Sequence, residues 1–178
     1  MLMLFLTDKD TPFQEFLKLI NTRAIQIIWI CLVALLLCQL IKFIILSIRE
    51  KRLAWKYLCY TGGFPSSHSC LCMTLVTSLF CFQLHDISGL DWSFAVALIF
   101  AIVTIHDAMG VRLEASKHAQ ILNNLAKDMP MEEKQSIGFG KKGFLKEMLG
   151  HKFFEVLGGM LLGIIFGVSG YFILVSFI

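Results

Sequence analysis

The run VLGGMLLGIIFGVSGYFILVSFI, residues 156–178, is 23 residues long and carries no charged side chain. A helix rises 1.5 Å per residue, so about 20 apolar residues cross the roughly 30 Å hydrocarbon core of a bilayer. Three more runs share this character. Residues 24–41 are uncharged, and apolar sequence resumes after Lys42 through Ile48. Residues 66–84 are uncharged apart from His68 near their start, and 92–106 form a shorter run that leans on Asp107-Ala108-Met109. With 57% hydrophobic residues, 16% charged and a mean hydropathy of +0.73, a chain of 178 residues is too apolar for a soluble globule. The expected fold is all-α: one integral membrane helical bundle over 1–178, with about four spans at 24–48, 66–84, 92–109 and 153–178.

The remaining sequence frames these spans. Residues 1–6 are apolar but short, lack a basic leader and run into Asp8, Lys9 and Asp10, unlike a cleavable signal peptide. Phe13, Phe16, Leu17 and Ile20 recur at helical spacing, so 1–23 reads as an interfacial segment with an amphipathic helix. The six cysteines lie mostly inside spans with no metal-ligand spacing and read as small apolar packing groups. If each run crosses once, 49–65 and 110–152 share one face of the membrane. They hold 12 of the 16 basic residues, which places that face in the cytoplasm by the positive-inside rule, in a bacterial inner membrane. Within the polar 110–152 loop a helix is expected over 112–126, breakers at 129–131 and 136–143, and a new helix from Phe144 to Leu149.

Chemistry concentrates at the entrance to the last span, in G-H-K-F-F-E-V (150–156). On a helix His151 and Glu155 are i and i+4, hence on one face. A carboxylate on one imidazole nitrogen fixes the tautomer and raises the basicity of the other, as a histidine nucleophile requires. Glu155 also borders a 23-residue apolar span, where a carboxylate is costly without a use. Asp107, at the end of the third span, pairs with Arg112 or anchors its helix end. Metal binding by His106, Asp107 and Glu155 is disfavoured because carboxylates are sparse here, and no metal or cofactor is expected. His85 and His118 lack comparable surroundings.

A second polar block, T-G-G-F-P-S-S-H-S (61–69), opens the second span. Two glycines permit an unusual backbone path, Pro65 sets φ, and Ser66 and Ser67 suit the cap of a helix whose first N–H groups form an anion site. His68 falls in that first turn, where a proton donor faces a bound phosphate.

Together, P-S-S-H (65–68) and G-H-x3-E-V (150–156) resemble the phosphatidic acid phosphatase type 2 / vanadium haloperoxidase superfamily. T-G-G-F-P-S-S-H-S, H-D-A-M-G-V-R (106–112) and L-K-E-M-L-G-H-K-F-F-E-V (145–156) resemble its divergent membrane branch, over about 51–167. The resemblance implies a metal-independent lipid phosphatase. His151 is then the nucleophile, Glu155 the orienting carboxylate in place of aspartate, His68 the general acid and Ser66 a phosphate-binding serine. Three departures stand out. Ser67 replaces a glycine. Lys-x6-Arg-Pro is not found as written, leaving Lys51, Arg52 and Lys56 as stand-ins. Leu145 stands where an arginine is expected, with Lys146 one residue on. Ser67, Lys51, Arg52, Lys56, Arg112 and Lys146 are therefore the further phosphate-binding candidates, with Asp107 positioning.

The activity so implied is hydrolysis of a membrane lipid phosphate, phosphatidate or an isoprenoid phosphate, through a phosphohistidine. The alternatives are a non-catalytic lipid-phosphate binder or transporter, and a membrane scaffold. Gly159, Gly163 and Gly167 form a small-residue stripe for close helix packing, within the chain or in a homo-oligomer. Nucleic acid is not an expected partner.

Overall fold

A computed structural model describes residues 22–51, 53, 62–86, 89–139, 143–145 and 150–176. The expected amphipathic helix within 1–23 and the candidates Arg52, Lys56 and Lys146 fall outside the described residues. The elements are α1 (Arg23–Glu50), α2 (Ser67–His85), α3 (Trp92–Met109), α4 (Val111–Leu125), α5 (Met131–Ser136) and α6 (Phe153–Ser176), with no strand among the described residues. Four helical stretches are long and apolar enough to cross a membrane: α1, α2, α3 together with α4, and α6. α1, at 28 residues, extends about 42 Å and so outreaches the hydrocarbon core. Its outer face stays apolar where no protein covers it: Leu36 is 68% exposed, and Val96, Ile99 and Val103 on α3 are exposed likewise. An apolar exterior of this kind is solvated by lipid tails. The protein is an integral membrane helical bundle.

α2 is the central helix, touching α6 most extensively and then α1 and α3. Side-chain contacts give the directions. Arg23 at the start of α1 bonds Asp86 beyond the end of α2 at 3.1 Å, and its guanidinium lies 5.0 Å from the centre of the Phe82 ring. Gln83 near the end of α2 bonds Asp91, the N-cap of α3, at 2.8 Å. α1 and α3 therefore run antiparallel to α2. α6 runs parallel to it: Gly159 lies against Ser66, Gly163 against Cys70 and Thr74, and Gly167 against Thr77.

That glycine stripe explains the tight α2–α6 seam. Without a hydrophobic driving force in lipid, helices gain by close approach of small residues. A Cβ on Gly159 would meet the Ser66 carbonyl oxygen at 2.3 Å, and one on Gly163 the Cys70 carbonyl oxygen at 2.5 Å. Of the two packings open to this stripe, the one observed is within the chain. Thr74, fully buried, adds a bond across the seam to the Gly163 carbonyl at 3.2 Å. Gly163→Val must push backbone from backbone, so its thermal unfolding in detergent should show a loss of about 3 kcal/mol; an unchanged midpoint would refute this packing.

Beyond the third span the chain turns at Gly110 and continues as α4, against an expectation of 112–126. The expected helix from Phe144 does not begin there. Phe144 and Leu145 are not helical. The Asn123 amide holds both Leu145 backbone groups, accepting from its N–H at 2.7 Å and donating to its carbonyl at 2.9 Å, a pairing that competes with helical bonds.

Candidate active site

The parallel run of α2 and α6 brings two helix N-termini to one end of the bundle, where their dipoles and free N–H groups favour an anion. The antiparallel α1 and α3 bring their C-terminal turns to the same end. Lys42, Ser66, Ser67, His68, Asp107, His151 and Glu155 thus come from all four spans.

His151 and Glu155 are arranged by the start of α6. Phe153 is the first helical residue, so Lys152 is in the N-cap position and Glu155 is the third residue of the helix. The Glu155 carboxylate reaches back to the Lys152 N–H at 3.1 Å, the Glu half of a capping box. The same oxygen, Oε2, accepts from His151 Nδ1 at 3.1 Å. Nδ1 carries the proton in that pairing, which leaves Nε2 with its lone pair. Nε2 is buried and has no hydrogen-bond partner among the described residues, and the His151 side chain is only 3% exposed. The backbone is pinned as well: the His151 N–H donates to the Ala108 carbonyl at 3.1 Å, and Gly150 sits against the backbone of Arg112 and Leu113 so closely that a Cβ would lie 2.4 Å away.

The turn before α2 docks on this assembly. Gly63 adopts φ +90°, a region costly for any side chain but glycine. Phe64 covers Gly158, and the Ser66 N–H donates to the Glu155 carbonyl at 2.9 Å, joining the two motif blocks directly. Ser66 caps α2: its hydroxyl accepts from the Ser69 N–H at 3.4 Å and the Ser69 hydroxyl at 3.0 Å. Ser66 is fully buried, and its own hydroxyl proton is what it has left to give an anion. Ser67, buried too, accepts from the Gln39 amide at 3.5 Å. His68 is partly exposed, and its ring centre lies 6.2 Å from that of His151, with the planes at 59°.

Two of the cationic candidates, Arg112 and Lys51, are described. Arg112 bonds Asp107 across the Gly110 turn, and both lie within electrostatic reach of His68. Asp107 therefore holds Arg112, as the pairing alternative expects. Lys51 caps the C-terminus of α1 in a left-handed conformation (φ 53°) with its side chain exposed. The residue that fills the site is one the sequence reading passed over. Lys42 is fully buried, its Nζ has no hydrogen-bond partner among the described residues, and it acts electrostatically on His68 and Glu155. Two signals marked it. A lysine inside a span is a functional candidate by default. It also begins Lys42-x6-Arg49, the spacing of the block taken as missing, with Glu50 in place of proline. Among the described residues no group of three His, Cys, Asp or Glu side chains is placed to hold a metal ion.

The arrangement offers a bare imidazole nitrogen, a second imidazole facing it, a buried ammonium and two helix N-termini. It suits attack on an anionic electrophile such as a phosphoryl group. The chain is 39% identical over 145 residues, 75% of its length and 86% of the relative's, to the uncharacterized membrane protein YuiD of Bacillus subtilis (strain 168). No solved structure matches it. The model of the Divergent PAP2 family matches residues 24–166, from the first turn of α1 well into α6, and the chain belongs to that family.

Proposed function

We propose that the protein is a lipid-phosphate phosphomonoesterase working through a phosphohistidine. The observation that carries this reading is the His151 ring: bonded to Glu155 on one nitrogen, buried and unpartnered on the other, and faced by His68. His151 Nε2 forms a bond to phosphorus as the P–O bond to the lipid breaks, and Glu155 stabilises the resulting imidazolium. His68 gives its proton to the departing alkoxide, then takes one from the water that cleaves the N–P bond and frees phosphate. Lys42, Arg112, the Ser66 and Ser67 hydroxyls and the first N–H groups of α2 balance the charge on the phosphoryl oxygens. No step calls for a metal ion.

The substrate is an amphiphile such as phosphatidate or an isoprenoid phosphate, with its headgroup at the helix ends and its tail in lipid. The excess of basic residues on the two segments at this end supports a cytoplasmic site in a bacterial inner membrane. A cysteine introduced at Ser136 should then react with impermeant thiol reagents only from the cytoplasmic side.

Leu145, at the position of the superfamily's arginine, favours a second reading, a lipid-phosphate binder without turnover. Both are tested by phosphate release from a panel of lipid monophosphates with purified protein. Release from at least one supports the enzyme. Saturable binding with no release from any member leaves the binder.

A further inference from the structure

Resting on the phosphomonoesterase reading, we infer that the hydrocarbon tail of the substrate lies in the apolar hollow between α1 and α3, on the side of His68 away from His151. In-line displacement puts nucleophile and leaving group on opposite sides of phosphorus. His151 comes from the α6 side, so the lipid alkoxide departs where His68 can protonate it, and its tail must continue from there.

The surface of α2 leads the same way. His68, Leu71, Cys72 and Leu75 are at i, i+3, i+4 and i+7, one helix face. Neighbouring faces of α2 are occupied. Ser66, Cys70, Thr74 and Thr77 meet α6, while Val76 packs with Ala97 and Ala101 of α3. The His68 stripe falls between α1 and α3, which both pack on α2. About 5–10 Å beneath His68 along the helix axis it opens into a hollow of about 260 Å³, walled by Ile28 and Leu32 of α1, Leu71, Cys72 and Leu75 of α2 and Phe100 of α3. Its walls are wholly apolar, and Ile28, Leu32 and Phe100 are exposed on the outer surface, so a tail can enter from the bilayer.

Another apolar hollow, about 270 Å³ between α1 and α6, lies on the nucleophile's side. Its α6 wall starts at Phe166, eleven residues from Glu155, or about 16 Å along the helix. A leaving group protonated by His68 does not point there.

The test uses full-length protein in vesicles with a lipid monophosphate bearing a mid-chain diazirine, beside the same lipid ending in a hydroxyl. Photolabel should fall on the segments around Ile28–Leu32, Leu71–Leu75 and Phe100, several-fold more for the phosphate than for the alcohol. Leu32→Trp, at an exposed position, should cut that labelling. It should also lower kcat/KM for a long-chain phosphate about tenfold relative to a short aryl phosphate measured on the same variant. Equal labelling by the alcohol would overturn the assignment, as would phosphate-dependent label concentrated on Trp29, Val33, Phe166 and Ile173. Phosphate release in the same vesicles separates the two claims: label in the α1–α3 hollow without release sinks the hydrolase and keeps the tail site, while release with label elsewhere does the reverse.

Discussion

His151→Asn is expected to abolish phosphate release, with a loss of at least about 10⁴-fold in kcat. Asparagine keeps a polar group next to Glu155 yet supplies no nucleophilic nitrogen at the Nε2 position, where the wild-type ring is buried and unpartnered. The decisive readout is the covalent intermediate. Quenching wild-type protein during turnover of ³²P-labelled lipid phosphate should trap an acid-labile, base-stable label on His151. His68→Ala should lose turnover too, but through failure to protonate the alkoxide and to activate water. Activity persisting in His151→Asn, or label on another residue, rules out the mechanism. The fold should survive, since the backbone bonds from His151 to Ala108 and from Ser66 to Glu155 do not involve the imidazole.

Lys42→Met should change stability and activity in opposite directions. Lys42 sits about 12 Å in from the end of α1, completely buried, with no ion pair or hydrogen bond to Nζ among the described residues. Replacing a buried ammonium that has no partner by an apolar side chain of similar length removes a desolvation penalty on the order of several kcal/mol and should stabilise the fold. Glu155 is not orphaned, because it keeps His151 and the Lys152 N–H. Removing an ammonium that balances transition-state charge costs about 10²–10³-fold in kcat. A raised thermal midpoint with phosphate turnover, or phosphate affinity, lost together would mark Lys42 as a functional charge kept at a cost to the fold. A lowered midpoint with activity intact would make it a structural residue.

Much of this was legible in the linear chain. Hydropathy over about 20 residues reports spans because lipid offers no partner for a bare backbone, leaving the helix as the workable local answer. The pairing of His151 with Glu155 was legible by spacing but not by its cause: His151 lies two residues before α6, so the local capping geometry at the helix start, and not a shared helical face, brings the two together. Leu145 shows the limit. Its expected helix yields to an amide 22 residues away, and helical propensity contains no term for such a partner.

Lys42 is the other instructive case. In sequence it interrupts an apolar run, and the stand-ins for the missing basic block are Lys51, Arg52 and Lys56. The structure brings Lys42 to the site instead. α1 runs antiparallel to α2, so the turn carrying Gln39 and Lys42 meets the start of α2, and Lys51 lies past the helix end with its side chain exposed.

Short-range rules thus determine from sequence alone that this protein is a helical membrane bundle and that an imidazole and a carboxylate stand at the entrance to its last span. Tertiary structure decides what faces that pair. The glycine stripe holds α6 against α2 at backbone contact, which brings the His68 ring to 6.2 Å from that of His151, with Lys42, Arg112 and Asp107 within electrostatic reach of His68. Those distances depend on how closely two backbones approach across 80 or more residues of intervening chain, a quantity set by packing and not by any local pattern.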